Sequence, residues 1–140
     1  MKHLFAFSIA FLAIASATFT SCNKGTGDPN ANFSITELLT SGSWKISYYF
    51  DGNTVRSDNF SGYTFNFQNA GKLNVFNNAE TVTGNWDNQN SNSLIKLLLN
   101  NSNSLSVLSK EWSVTSTDNT IIYLECVNGA ETCNMQFTKI

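Results

Sequence analysis

The sequence predicts an all-β chain of about eight short antiparallel strands closed into an up-and-down β-barrel, with one short N-terminal helix capping one end. Three observations predict it. Apolar and polar residues alternate at period two in several separate stretches. Turn signals rich in Asn, Gly and Asp fall between those stretches. The registers those turns imply bring apolar faces opposite one another, and agreement across levels counts for more than any single propensity. A two-sheet sandwich is the alternative, because strand number alone does not separate the two.

The folded part follows a leader. Met1-Lys2-His3 is a short basic start, Leu4 to Ala15 is apolar apart from Ser8, and small residues lead to Thr18-Phe19-Thr20-Ser21-Cys22. This is the layout of a secretory signal peptide over residues 1–21, and its apolar run is short for a transmembrane helix. The ending resembles a bacterial lipoprotein signal, in which a small residue precedes a cysteine that is cleaved and lipidated; Phe19 stands where leucine is usual. Ordinary secretion, with cleavage near Ala17 and Cys22 left as a free thiol, is the other reading. Residues 22–33 (beginning CNKGTGDPNAN) are polar and carry Gly and Pro without periodicity, as a flexible tether does. Residues 34–140 then form the barrel domain.

Composition excludes several functions. The whole chain has 8 Lys and Arg against 10 Asp and Glu, a net charge of −2. Removing the first 21 of 140 residues leaves 119 and, with Lys2 gone, a net charge of −3. That length suits one domain. No basic run is present, which argues against a nucleic-acid partner. The single histidine is His3, inside the leader. The remaining chain has no Ser-His or Cys-His pair, no imidazole base and no histidine ligand for zinc. Catalytic residues, a metal and a cofactor are therefore not expected. An enzyme would need a carboxylate pair, Glu80 with Asp87 or Asp51 with Asp58, and acidic residues at turns are more often simply solvated.

Within the barrel, Ser34-Ile35-Thr36-Glu37 has the form of a capping box; Ile35, Leu38 and Leu39 follow helical spacing, and Gly42 is a plausible stop. Ser43 to Phe50 is the first strand, with Trp44, Ile46, Tyr48 and Phe50 assigned to its inner face. Asp51-Gly52-Asn53 turns the chain. Tyr63-Thr64-Phe65-Asn66-Phe67 alternates cleanly, and Asn69-Ala70-Gly71 fits a three-residue hairpin loop that sets Phe67 against Leu73 and Phe65 against Val75. Asn77-Asn78 as a two-residue turn sets Leu73 against Val82, and Gly84 and Trp86 continue that face. Asp87 to Ser93 reads as a polar loop. Ile95, Leu97 and Leu99 form the next inner face, and Asn100 to Ser104 the next loop. Leu105 to Ser109 is ambiguous between strand and helical turn. Trp112 and Val114 point inward from Glu111–Thr115, and Ser116 to Asn119 turns again.

The last hairpin is the best specified. With Gly129-Ala130 as a two-residue turn, Cys126 faces Cys133, Leu124 faces Met135 and Ile122 faces Phe137. A Cys126–Cys133 disulfide follows, suited to an oxidising compartment. A reduced pair on the same face is the alternative.

The ordered set Gly42-Ser43-Trp44, Tyr63-Thr64-Phe65-Asn66-Phe67, Gly71, Thr83-Gly84-Asn85-Trp86, Trp112 and Phe137-Thr138-Lys139 resembles the lipocalin-like lipoproteins common in Bacteroidetes. A short helix before Gly42-x-Trp44 is similar to the lipocalin signature. In lipocalins a basic residue late in the chain packs over that tryptophan, a place Lys139 would take by cation–π contact. The usual arginine and the mid-chain Thr-Asp-Tyr-like motif are absent. The resemblance spans roughly Ile35 to Ile140 and implies a calycin-type barrel on an envelope lipoprotein, without naming a ligand.

Three functions are weighed. A binding module would hold one small hydrophobic ligand against Tyr48, Phe50, Tyr63, Phe65, Phe67, Trp86, Trp112 and Phe137, unless these rings simply fill the interior. A structural or interaction protein would meet a protein partner through the loops at 53–59, 87–93 and 100–104. An enzyme is the weakest reading. The expected address is the bacterial envelope, lipid-anchored through Cys22. Asn23 is not the aspartate that retains lipoproteins at the inner membrane in enteric bacteria, which favours the outer membrane.

Overall fold

Alternation of apolar and polar residues produces eight strands, and antiparallel pairing joins each to the next. The computed structural model of the chain describes residues 34–100, 104–127 and 132–140. A helix α1 (Ile35–Thr40) precedes β1 (Ser43–Phe50), β2 (Thr64–Gln68), β3 (Lys72–Phe76), β4 (Thr81–Gln89), β5 (Leu94–Leu99), β6 (Glu111–Thr117), β7 (Ile121–Cys126) and β8 (Asn134–Lys139). β8 returns to pair with β1, so the sheet is a closed barrel and the sandwich is excluded. Closure leaves no free sheet edge.

The Ser34 hydroxyl caps α1 by accepting from the Glu37 N–H at 3.3 Å, as the capping box predicts. Ile35, Leu38 and Leu39 are its buried face. The helix ends just ahead of Gly42, as expected, but Gly42 is not left-handed. The cap is Ser41, whose N–H and hydroxyl both return to the Leu38 carbonyl. Gly42 instead makes room for Lys139: a Cβ at this position would lie 2.6 Å from the lysine Cε.

β1 departs from the alternation of its sequence. Ile46 pairs with Phe137 and Tyr48 with Gln136, so Ser47 is one residue too many and forms a bulge. The faces exchange beyond it. Tyr49, not Tyr48, turns inward and is 3% exposed, whereas Tyr48 is 40% exposed and Phe50 is half-buried. The inner-face assignments of Tyr48 and Phe50 are therefore corrected. An alternating pattern of consecutive aromatics carries no mark of which residue is skipped.

Elsewhere the registers follow the side chains. Phe67 faces Leu73 and Phe65 faces Val75. Gly71, at φ 74°, and Ala70, at φ 65°, supply the left-handed turn between them. Between β3 and β4 the expected two-residue turn is replaced by a four-residue loop: Val75, not Leu73, faces Val82, and Leu73 faces Gly84. The Asn77 side chain builds that loop by accepting from the N–H groups of Ala79 and Glu80, each at 2.8 Å. A slip of two positions preserves which face is inside, so the core is unchanged. β4 runs on to Gln89, which shortens the loop read at 87–93 to a turn with Asn90, Ser91 and Asn92 at positive φ. β6 likewise continues to Thr117, past the start of its expected turn. Leu105 to Ser109 resolves as a 3₁₀ turn at Ser106–Leu108.

In the last hairpin the predicted register holds from Glu125–Asn134 to Ile122–Phe137. Cys126 and Cys133 are joined as a disulfide across a Cα separation of 5.3 Å. Closing a loop of roughly eight residues contributes about 2.5 kcal/mol in the chain-entropy account. The expected Gly129-Ala130 turn, like the leader and Cys22, lies outside the described residues.

Gly84 is a glycine that the neighbouring strand leaves no room to replace. A Cβ there would lie 2.3 Å from the Leu98 carbonyl oxygen on β5, whereas one at Gly62 would meet nothing within 4 Å. Gly84→Ala is expected to lose about 1–3 kcal/mol by overpacking. Gly62→Ala, strained only by its φ of 84°, should lose about 1 kcal/mol. Urea unfolding of both variants checks the order; equal losses would mean that the β4–β5 contact yields easily.

Candidate functional site

The interior is where the sequence-predicted residues meet. Tyr63, Phe65, Phe67, Trp86, Trp112 and Phe137 are all buried in one core, while Tyr48 and Phe50 stand outside it. Period-two alternation brings these rings inward from four different stretches of chain, and several pack edge to face. Phe65 and Phe137 lie 5.1 Å apart, Phe67 and Phe137 5.6 Å, and Phe67 and Trp86 5.5 Å. Tyr49, which the alternation misassigns, joins Phe60 at 4.9 Å and Trp112 at 6.4 Å.

The two ends close differently. At one end α1 lies over the barrel, with Leu39 accepting from the Trp44 indole at 2.9 Å. The β4–β5 turn fastens this cap: Asn92 accepts from the Ile35 N–H at 3.2 Å, and the Asn88 amide donates to Thr36 at 3.0 Å. Lys139 sits 5.9 Å from the Trp44 ring centre and donates to the Ser41 hydroxyl at 2.8 Å, taking the place expected for a late basic residue.

The opposite end is closed by side chains on connecting segments. Phe60 comes from the 3₁₀ turn Ser57–Phe60, and Leu105 and Leu108 from the segment around Ser106–Leu108. All three are fully buried. The sequence reading expects a contact loop at 53–59 and does not place Phe60, beside it, in the core; its one signal is an isolated aromatic in a polar stretch. The Trp112 indole donates to the Leu108 carbonyl at 3.0 Å, tying one of these segments to β6. Tyr63 donates to the Glu80 carboxylate and lies 3.3 Å from the Ser104 hydroxyl at the rim.

Asp51, Glu80 and Asp87 each accept hydrogen bonds from neighbouring groups. Asp51 accepts from the N–H groups of Asn53 and Thr54 at 3.0 and 2.8 Å and from Arg56. The backbone N–H of Thr54, then that of Asn53, hold its carboxyl below the ordinary aspartate value, with Arg56 adding to the effect. Glu80 accepts from Tyr63, and Asp87 from Gln89 at 2.9 Å. Burial pushes the Tyr49 hydroxyl up, with the Asp51 charge adding to the effect. Among the described residues no group of three or more His, Cys, Asp or Glu is placed to hold a metal ion, and no helix is long and apolar enough to cross a membrane.

Outside the barrel, a groove of about 370 Å³ crosses β6, β7, β8 and β1, lined by Tyr48, Thr115, Tyr123, Glu125, Asn134 and Gln136 among others. The bulge that turns Tyr48 outward places it there.

Comparison with known proteins supports the fold. No family model matches the chain, and no curated protein matches its sequence. Among solved structures it is similar to a DUF4847 family protein from Bacteroides vulgatus, with a TM-score of 0.55 at 12% identity, over 75% of this chain and 96% of that one. A second similarity is to Japanin from Rhipicephalus appendiculatus bound to cholesterol, with a TM-score of 0.49 at 11% identity, over 77% of this chain and 80% of that one. The first of these likenesses bears on the fold, which here is an eight-stranded closed barrel.

A carboxyl held below its ordinary value stabilises the fold fully above that value and loses the effect as pH falls through the folded one. Asp51→Asn keeps an acceptor for the turn and removes the charge. Urea unfolding is expected to show the variant less stable at neutral pH, with the gap to wild type closing below the ordinary value of 3.8. A gap that persists unchanged in strong acid would show that the charge plays no part.

Proposed function

We propose that the chain is a non-enzymatic lipoprotein of the bacterial envelope, anchored in the outer membrane through Cys22, whose barrel takes up one small hydrophobic ligand. The observation that carries the ligand reading is the unequal closure of one apolar interior. The helical end is held by the hydrogen bonds of Trp44, Asn88 and Asn92. Among the described residues no α-helix crosses the other end, which is stopped by Phe60, Leu105 and Leu108 on connecting segments, of which the Leu108 segment is tied to β6 by the Trp112 indole. An eight-stranded barrel is just wide enough to be filled by side chains or to hold one small ligand. Entry at the 3₁₀ end requires those three side chains to swing aside, and the ligand then meets Phe65, Phe67, Trp112 and Phe137. The tether at 22–33 would hold the barrel near the bilayer, where apolar ligands concentrate.

A second reading is favoured by the edge-to-face contacts among the interior rings. A barrel filled by its own side chains would act as a rigid scaffold and meet a protein partner through the loops near 53–59 and 100–104.

Native mass spectrometry separates the readings. Protein secreted into an oxidising compartment is weighed folded and denatured, and the full-length chain expressed in a bacterial envelope is weighed beside its Cys22→Ser variant. The ligand reading expects an extra mass lost on denaturation and more of it bound by Phe60→Ala. The anchor reading expects an acyl mass on wild type that Cys22→Ser lacks. No extra mass in either protein, with Phe60→Ala still folded, would overturn ligand uptake in favour of the scaffold; equal masses with and without Cys22 would overturn the anchor.

A further inference from the structure

Two bulges on different strands converge on one row of the outer surface. In β1 the extra residue is Ser47, and in β6 it is Thr115. Each bulged hydroxyl donates to the carbonyl of a neighbouring strand at 3.3 Å: Ser47 to Gln136, and Thr115 to Tyr123. Bulges re-aim side chains, and these two flank a single row. Tyr48 on β1 pairs with Gln136 on β8, which pairs with Tyr123 on β7. The next row sets Asn134 against Glu125. Without the β1 bulge, Tyr48 would point into the core and the row would lack one of its tyrosines.

Tyr48 and Tyr123 are 40% and 42% exposed, one on each side of Gln136, in the groove of about 370 Å³. We propose that this groove is a binding site for a neutral oligosaccharide, separate from the barrel interior. Tyrosine offers a flat apolar face together with a hydroxyl, which suits the C–H faces of a pyranose ring. The amides of Gln136 and Asn134 donate and accept, and the Glu125 carboxylate accepts, in a mixed inventory that matches ring hydroxyls. The volume is that of a small-molecule site. No Lys or Arg lines it, and Glu125 repels anions, so a phosphorylated, sulfated or uronic ligand is disfavoured. All four strands are paired on both sides, so an extended peptide has no backbone edge to join.

The purified protein on an array of neutral and acidic oligosaccharides tests this, followed by calorimetric titration with the neutral oligosaccharide best retained. Retention of a neutral class is expected. Tyr48→Ala and Tyr123→Ala should each weaken binding roughly tenfold or more with an unchanged thermal midpoint, because both rings lie outside the core. Tyr48→Phe should retain most of it, and Phe60→Ala, which alters the interior, should leave it unchanged. The proposal is overturned if no neutral oligosaccharide is retained, if acidic ones bind equally well, if the double alanine variant binds as wild type does, or if the tyrosines prove to serve a protein partner alone.

Discussion

Trp44 is where the beginning and end of the folded chain are joined, and the closed barrel depends on that junction. Its indole N–H is satisfied by the Leu39 carbonyl, which fixes α1 over the barrel. Its backbone pairs with Phe65 on β2 and Lys139 on β8. The Lys139 ammonium then crosses Gly42 to lie near the indole ring and the Ser41 hydroxyl. A fully buried indole without a partner for its N–H would be costly, so the cap and the seam stabilise one another. An open sheet would expose β1 and β8 as edges and uncover the core between them.

Closure also divides the surface into parts with different duties. Inside, every strand contributes rings or branched aliphatics, and the interior is apolar from the helix to the 3₁₀ segments. Outside, the same alternation leaves mostly polar side chains, and the bulge in β1 sets Tyr48 beside Tyr123 and the amides of Gln136 and Asn134. A bulge is local, so it changes the outer surface without disturbing the pairing of β2 to β5. The disulfide of the last hairpin acts on the opposite side of the seam from Trp44, where it holds β7 and β8 together near the 127–133 connection.

Much of this was legible in the residues, because side chains opposed across a hairpin report on one another. Cys126 with Cys133 and Phe65 with Val75 each follow from a single register that aligns several pairs at once. What escaped were decisions taken by the backbone and by polar side chains. The Ser47 bulge reverses Tyr48 and Tyr49, since Tyr48-Tyr49-Phe50 reads as apolar on either face. Asn77 lengthens the β3–β4 loop through its own side chain, a choice that any Asn-Asn pair conceals. Phe60 and Leu105 lie in segments too short and polar to show a period, although they close an end of the barrel. The Gly42-Ser43-Trp44 signature pointed to a helix-capped barrel, and the cation expected over Trp44 is present as Lys139.

Native-state amide hydrogen exchange tests the seam most directly. If β1 and β8 are held as described, their hydrogen-bonded amides open only with global unfolding and match the protection of β3 and β4. If instead the β1–β8 amides exchange through a low-energy local opening while β3 and β4 stay protected, the barrel is closed in form only. Trp44 would then be one core residue among many.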